Sequence, residues 1–192
     1  MRLFTGIEIP APALQPVGRL LDRLRPLAPL RWSKVENLHI TTKFIGEWPE
    51  ERLNELIRQL RDVDPGSSFE ISLHGLGWFP EPQRPHIFHI GVQAGAPLID
   101  LAARTERALA ALGIEPENRP YRPHLTLARI QPRGGRNPNL DALRKAVACK
   151  LDQQWSAFTC ACFHLYRSQP GAAGSQYTQI AAFPIPAAER GV

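Results

Sequence analysis

The sequence predicts an α+β fold built from mainly antiparallel sheets and assembled from two similar halves. Two observations carry this. Runs of short strands are broken by single helical stretches, the mixed order of an α+β chain. One short motif, histidine-x-threonine in apolar and β-branched company, also occurs twice. It stands at His39-Ile40-Thr41-Thr42 and, 85 positions later, at His124-Leu125-Thr126-Leu127, a separation that fits a half-chain repeat. Outside the motifs the halves share little identity, so the duplication rests on the motifs and the element order.

Residues 3–9 read as a first strand, stopped by Pro10. Residues 13–25 place Leu14, Val17, Leu20, Leu21 and Leu24 at helical spacing, with Pro16 early, where a first turn tolerates it. Residues 31–34 make a short extended piece. The first motif strand covers about 38–45 and stops at Gly46. Pro49 opens a helix with Leu53, Leu56, Ile57 and Leu60 on one face, ending before Pro65 and Gly66. Phe69, Ile71 and Leu73 alternate with polar residues as in a half-buried strand. Residues 75–85, rich in Gly, Pro and aromatics, read as a loop, and 87–92 as the next strand. Pro97 begins a helix carrying Leu98, Leu101, Ala102, Thr105, Leu109 and Leu112, stopped at Gly113. A proline-rich loop over 115–123 leads to the second motif strand at about 124–130. A basic Pro/Gly/Asn loop over 131–139 and a short helix over 140–147 follow. Two strands, about 155–166 and 176–184, close the chain around a loop at 169–175.

A chain of 192 residues, 43% hydrophobic, suits one domain or two small lobes sharing a core. Its net charge of +5 suits an anionic partner such as RNA or a nucleotide, although a mild basic excess is also common in proteins that bind neither. The three cysteines, Cys149, Cys160 and Cys162, are odd in number and form no CxxC pair, which argues against a disulfide framework or a zinc site. The first residues are too short and interrupted for a signal peptide, and no apolar run reaches membrane-spanning length. A cytoplasmic protein is expected, with no membrane association and no obligate protein partner.

Alternation in a strand puts His39 and Thr41 on one face, and likewise His124 and Thr126, while Ile40, Leu125 and Leu127 point to a core. The two pairs read as halves of one site. Chance places two such motifs in about one chain in fifty of this composition. Opening a phosphodiester ring takes one group to accept a proton from the attacking oxygen and a second to protonate the leaving oxygen. Imidazole, with a pKa near 6.5, can do either at neutral pH. Threonine hydroxyls beside the rings can donate to the non-bridging phosphate oxygens. No metal and no cofactor are expected, because no carboxylate-rich cluster is seen.

The ordered blocks RWSKVENLHITTKFIGE, RPHIFHIGV, YRPHLTLARI and LYRSQPGAAGSQYTQIAAFPI resemble the two-histidine phosphoesterases, and within them the RNA 2′,3′-cyclic phosphodiesterases, also called 2′-5′ RNA ligases. The resemblance covers nearly the whole chain. It implies a bilobal, pseudo-duplicated domain spanning residues 1–192. Two mainly antiparallel sheets would flank a central cleft with helices outside, and each lobe would bring one HxTx motif, 39–42 and 124–127, to that cleft. It implies metal-free opening of a terminal 2′,3′-cyclic phosphate to a 2′-phosphomonoester, with His39 as proton donor, His124 as proton acceptor, and Thr41 and Thr126 holding the phosphate. The expected partners are RNA ending in a 2′,3′-cyclic phosphate, tRNA fragments among them, or small cyclic nucleotides. The family also joins such ends to a 5′-hydroxyl through a 2′-5′ bond. The family pattern carries Leu where this chain has Thr42, a position that alternation turns away from the site.

Further candidates follow from parity and chemistry. Lys43 shares the face of His39 and Thr41. Arg129 resembles a recurring family arginine, but it falls opposite His124 unless the strand ends or twists. Tyr121, Trp32 and Phe79 are candidates to stack on bases, and Arg133 and Arg136 to track an RNA backbone. His86 and His89 lack further ligands for a metal, and His74 and His164 read as ordinary strand residues. Two other readings compete: a two-histidine phosphodiesterase for another cyclic or 2′-5′ nucleotide, and a non-catalytic module that binds RNA ends.

Overall fold

The computed structural model of the protein describes residues 1–132, 137–171 and 174–188. Its strands are β1 (Arg2–Glu8), β2 (Arg31–Trp32), β3 (His39–Glu47), β4 (Phe69–Phe79), β5 (Ile87–Gln93), β6 (His124–Arg129), β7 (Gln154–Cys160), β8 (Cys162–Gln169) and β9 (Gln176–Pro184). Its helices are α1 (Ala11–Leu24), α2 (Leu53–Arg61), α3 (Gly95–Ala110) and α4 (Asp141–Val147). The α+β class holds, and every pairing is antiparallel.

The expected two sheets are one. The strand order is β7-β4-β5-β6-β3-β1-β8-β9, with β2 also pairing β6. The order is symmetric about its middle, where the two motif strands meet. They share a single register pair, Ile40 with Leu125, and then part. Beyond that pair, β2 fills the gap against Arg129 and Ala128. Pairing the central edges removes two open strand edges from the middle of the molecule, which is why two wings join into one sheet.

The last strands also differ from expectation. The apolar stretch at 155–166 is two strands interrupted at Ala161, and these go to opposite wings, β7 beside β4 and β8 beside β1. One residue cannot span a flat sheet of this width, so the sheet curls until its flanks approach at this corner. Ile185 N–H donating to the Ala161 carbonyl and Ser68 N–H donating to the Pro186 carbonyl tie the corner together. Nor are residues 75–85 wholly loop. A bulge at Gly75, at φ +71°, lets β4 continue to Phe79 against β5. Pro49 precedes a single 3₁₀ turn, Glu50–Arg52, before α2 begins.

Ile40, Leu125, Leu127, Ile71, Leu73 and Ile90 are fully buried in one apolar cluster with Val17 and Leu21 of α1 and Leu98 and Leu109 of α3. Thr42 faces this core and not the site. Its Oγ1 lies 2.7 Å from that of Thr5, and both residues are buried. The hydroxyl that departs from the family pattern is therefore matched across the strand pair. Thr42→Val strands the Thr5 hydroxyl and should cost about 1–3 kcal/mol. Adding Thr5→Val should recover much of the loss in chemical denaturation.

Candidate active site

The motif strands share one local construction. Along β3, Thr5 pairs Lys43 and Gly6 pairs Thr41, so Thr42 is an extra residue. Along β6, Phe88 pairs Ala128 and His89 pairs Thr126, so Leu127 is an extra residue. A bulge at the fourth motif position breaks alternation in both. The burial patterns are the same residue for residue, with the first and third positions half-buried, the second, fourth and fifth buried and the sixth exposed.

The bulges decide two of the parity arguments. Lys43 is a correction to the sequence expectation. The bulge turns it to the helix side, where it is buried, with Nζ 2.8 Å from the Glu115 carbonyl oxygen and 3.3 Å from Glu106 Oε1 of α3. It does not line the cavity between the motifs. Arg129 is carried the opposite way, onto the face of His124 and Thr126, and lines that cavity with His39, Thr41 and Thr126.

Each histidine is held by the carbonyl two residues before it. His39 Nδ1 lies 2.7 Å from the Asn37 carbonyl oxygen and His124 Nδ1 2.8 Å from that of Arg122. A carbonyl only accepts, so Nδ1 carries the proton in both rings and Nε2 is left for chemistry. The strands' divergence frees the carbonyls of Thr41 and Thr126, and each is taken by a hydroxyl from the segment leading to the other motif. Tyr121 Oη–H donates to the Thr41 carbonyl at 2.8 Å, and Ser33 Oγ–H donates to the Thr126 carbonyl at 2.8 Å. Tyr121 thus braces the strand and lies outside the cavity lining, with burial pushing its phenol pKa up.

The cavity, about 110 Å³, is lined by the cations Arg31, Lys34 and Arg129, by neutral donors including Ser33, Asn37 and Tyr177, and by no acidic side chain among the described residues. His39 is stacked on Phe4 at 4.6 Å and meets Tyr177 edge-on at 4.9 Å. His124 does not line this cavity. It stands two residues from Thr126, edge-on to Phe79 at 5.0 Å and 5.5 Å from the buried His89. His89 stacks on Phe79 at 4.0 Å in space that Gly77 leaves open, since a Cβ there would come within 2.6 Å of the imidazole. Burial lowers the pKa of His39 to about 4, reinforced by the charges of Arg129 and His124. Burial, with a contribution from Arg129, also lowers His124. Both rings feel one guanidinium, and His39 feels His124, so the two motifs act within a common electrostatic field.

Of the sequence candidates, His39, Thr41, Thr126, Arg129 and Trp32 line the cavity, Phe79 packs on His124, and Arg133 and Arg136 lie outside the described residues. The cavity also takes in Arg31, Ser33, Lys34, Asn37 and Tyr177, which sequence reasoning missed. Four of these fall between 31 and 37, within the first resemblance block, but no periodicity marks them. Among the described residues no group of three metal-binding side chains occurs, and no helix is long and apolar enough to cross a membrane.

The family model for LigT like Phosphoesterase matches the chain twice, over residues 7–89 and 90–174, one motif in each match. The RNA 2′,3′-cyclic phosphodiesterase of Methanothermobacter thermautotrophicus is 30% identical over 187 residues, 96% of this chain and 99% of the relative. The protein of the same description from Aeropyrum pernix is 40% identical over 136 residues, 68% and 74% of the two chains. The crystal structure of E. coli LigT complexed with 3′-AMP superposes with a TM-score of 0.75 at 24% identity, covering 96% of this chain and 97% of that one, a likeness of fold.

Proposed function

The chain belongs to the LigT like phosphoesterase family, and from that premise we propose that it is an RNA 2′,3′-cyclic phosphodiesterase, a hydrolase working as one two-lobed domain with one HxTx motif in each half. The observation that carries this reading is the pair of cross-braced motifs beside one cationic cavity, each ring anchored through Nδ1 with Nε2 to spare.

In this reading the two rings differ only in protonation. Neutral His124 offers the Nε2 lone pair and takes a proton from water as the oxygen attacks phosphorus. The bond from phosphorus to O3′ breaks, and His39, doubly protonated, gives its Nε2 proton to O3′. The product is a 2′-phosphomonoester, and solvent resets the two rings. Thr41 and Thr126 hydroxyls and the Arg129 guanidinium receive the non-bridging oxygens, where charge builds. With a 5′-hydroxyl in place of water the same two roles join a cyclic phosphate to it through a 2′-5′ bond, and exchange of the roles reverses that step. Acid and base are both side chains, so the step draws on no metal or cofactor. The substrate is RNA ending in a 2′,3′-cyclic phosphate, and the setting is the cytoplasm, where an exposed free thiol such as Cys149 stays reduced.

An acid with a pKa near 4 is mostly neutral at pH 7 while the site is empty. A bound phosphodiester anion opposes the effects of burial and of Arg129 and raises it. The pH profiles should therefore separate. The kcat/KM profile follows the free protein, in which both rings lie below 6.5, so its bell should centre below pH 6.5. The kcat profile follows the complex and should lie at higher pH. Incubation of an RNA carrying a 2′,3′-cyclic phosphate in excess EDTA, read by phosphorus NMR, should give the 2′-monoester. A 3′-monoester, or no turnover, contradicts the proposal.

A further inference from the structure

A second concavity, about 350 Å³, opens between α1, the turn after it and the start of β7. Its floor is apolar, made by Leu20, Leu24, Leu27 and Trp155, and Arg19, Arg23 and Lys150 stand around it with no acidic side chain in the lining. The Trp155 side chain is partly exposed, so part of the indole surface is open in the groove. An apolar floor that includes an indole and a cationic rim suit a ligand that joins a flat heteroaromatic ring to phosphates.

The concavity is a near neighbour of the cavity between the motifs. Leu27 lines one and Arg31 the other, so four residues of chain put their backbones no more than about 14 Å apart. Arg25, next to Leu24, donates from Nη2 to the Ser33 carbonyl at 2.9 Å and fixes the two together. Arg31 and Lys34 line the cavity between the motifs as Arg19, Arg23 and Lys150 line the groove, so both concavities are cationic.

We propose that this groove holds the single-stranded RNA leading to the reacting terminus, with one base against the Leu20, Leu24 and Trp155 floor and neighbouring phosphates on Arg19, Arg23 and Lys150. The inference rests on the phosphodiesterase reading above and narrows its substrate to oligomers over mononucleotides. Stacking on an apolar platform is tolerant of sequence, and phosphate contacts make binding salt-dependent.

The test compares the wild type with a triple variant, Arg19→Gln, Arg23→Gln and Lys150→Gln. None of these residues lines the cavity between the motifs. Binding of a fluorescent oligoribonucleotide is read by anisotropy across a salt series, and turnover is read on the cyclic-phosphate oligomer and on a 2′,3′-cyclic mononucleotide. The triple variant should bind the oligomer about tenfold more weakly, and its slope of log affinity against log salt should be shallower by about 0.7 for each phosphate that is no longer neutralised. Its kinetics on the mononucleotide should be unchanged. Equal oligomer binding by the two proteins overturns the groove assignment, as does an equal loss on oligomer and mononucleotide, or occupation by dodecyl phosphate that the oligomer does not displace. Absence of turnover on either substrate by the wild type instead overturns the phosphodiesterase reading, and the anisotropy series still decides the groove.

Discussion

His39→Ala and His124→Ala should each lower kcat by about 10²- to 10⁴-fold, the usual contribution of a positioned acid or base. The double variant should fall little below the worse single one, because acid and base serve one transition state and their losses do not multiply. Circular dichroism and thermal unfolding should accompany His39→Ala, whose ring packs on Phe4 and Tyr177. A substrate with a good leaving group assigns the roles. An aryl phosphodiester expels a phenolate that needs no proton, so His39→Ala should keep most of its rate there and His124→Ala should not. The opposite pattern would exchange donor and acceptor, and unchanged rates in both variants would end the two-histidine mechanism.

Arg129→Gln should raise KM about ten- to a hundredfold, the worth of one charge-assisted hydrogen bond to phosphate, roughly 1.5–3 kcal/mol. It should also move the pH profile. The guanidinium lowers the pKa of both histidines, so its removal lets both rise and carries the kcat/KM bell to higher pH. Arg129→Lys should keep the position of the bell and recover only part of the KM, since a lysine brings the charge without the planar fork. A KM change with no shift in the bell would mean that Arg129 meets the substrate far from the two rings.

The contrast between Arg129 and Lys43 shows how far the sequence could be read. Period-two alternation places His39 with Thr41 and His124 with Thr126, because the strands are regular over those three residues. It fails at the fourth position, where each strand carries an extra residue. Bulges have no composition signal when the residue is a threonine or a leucine, as at Thr42 and Leu127. The error repeats in both halves, and this is itself a trace of the duplication. Element order made the α+β class readable. It does not say that the motif strands touch at Ile40 and Leu125, a matter of long-range edge pairing, nor that a single residue, Ala161, divides strands belonging to opposite wings. The braces from Ser33 and Tyr121 are equally silent in sequence, since they satisfy carbonyls that only the divergence of β3 and β6 leaves open.

The central claim is that two imidazoles serve one phosphate, and nitrogen NMR of the histidine rings tests it most directly. A 2′-nucleotide monophosphate is titrated into the wild type, and the Nε2 resonances of His39 and His124 are followed across pH. The account predicts that both respond with the same dissociation constant, Nδ1 staying protonated in each, and that the His39 pKa climbs from about 4 as the site fills. A response confined to one ring, or two rings saturating at different ligand concentrations, would mean that the histidines belong to separate sites.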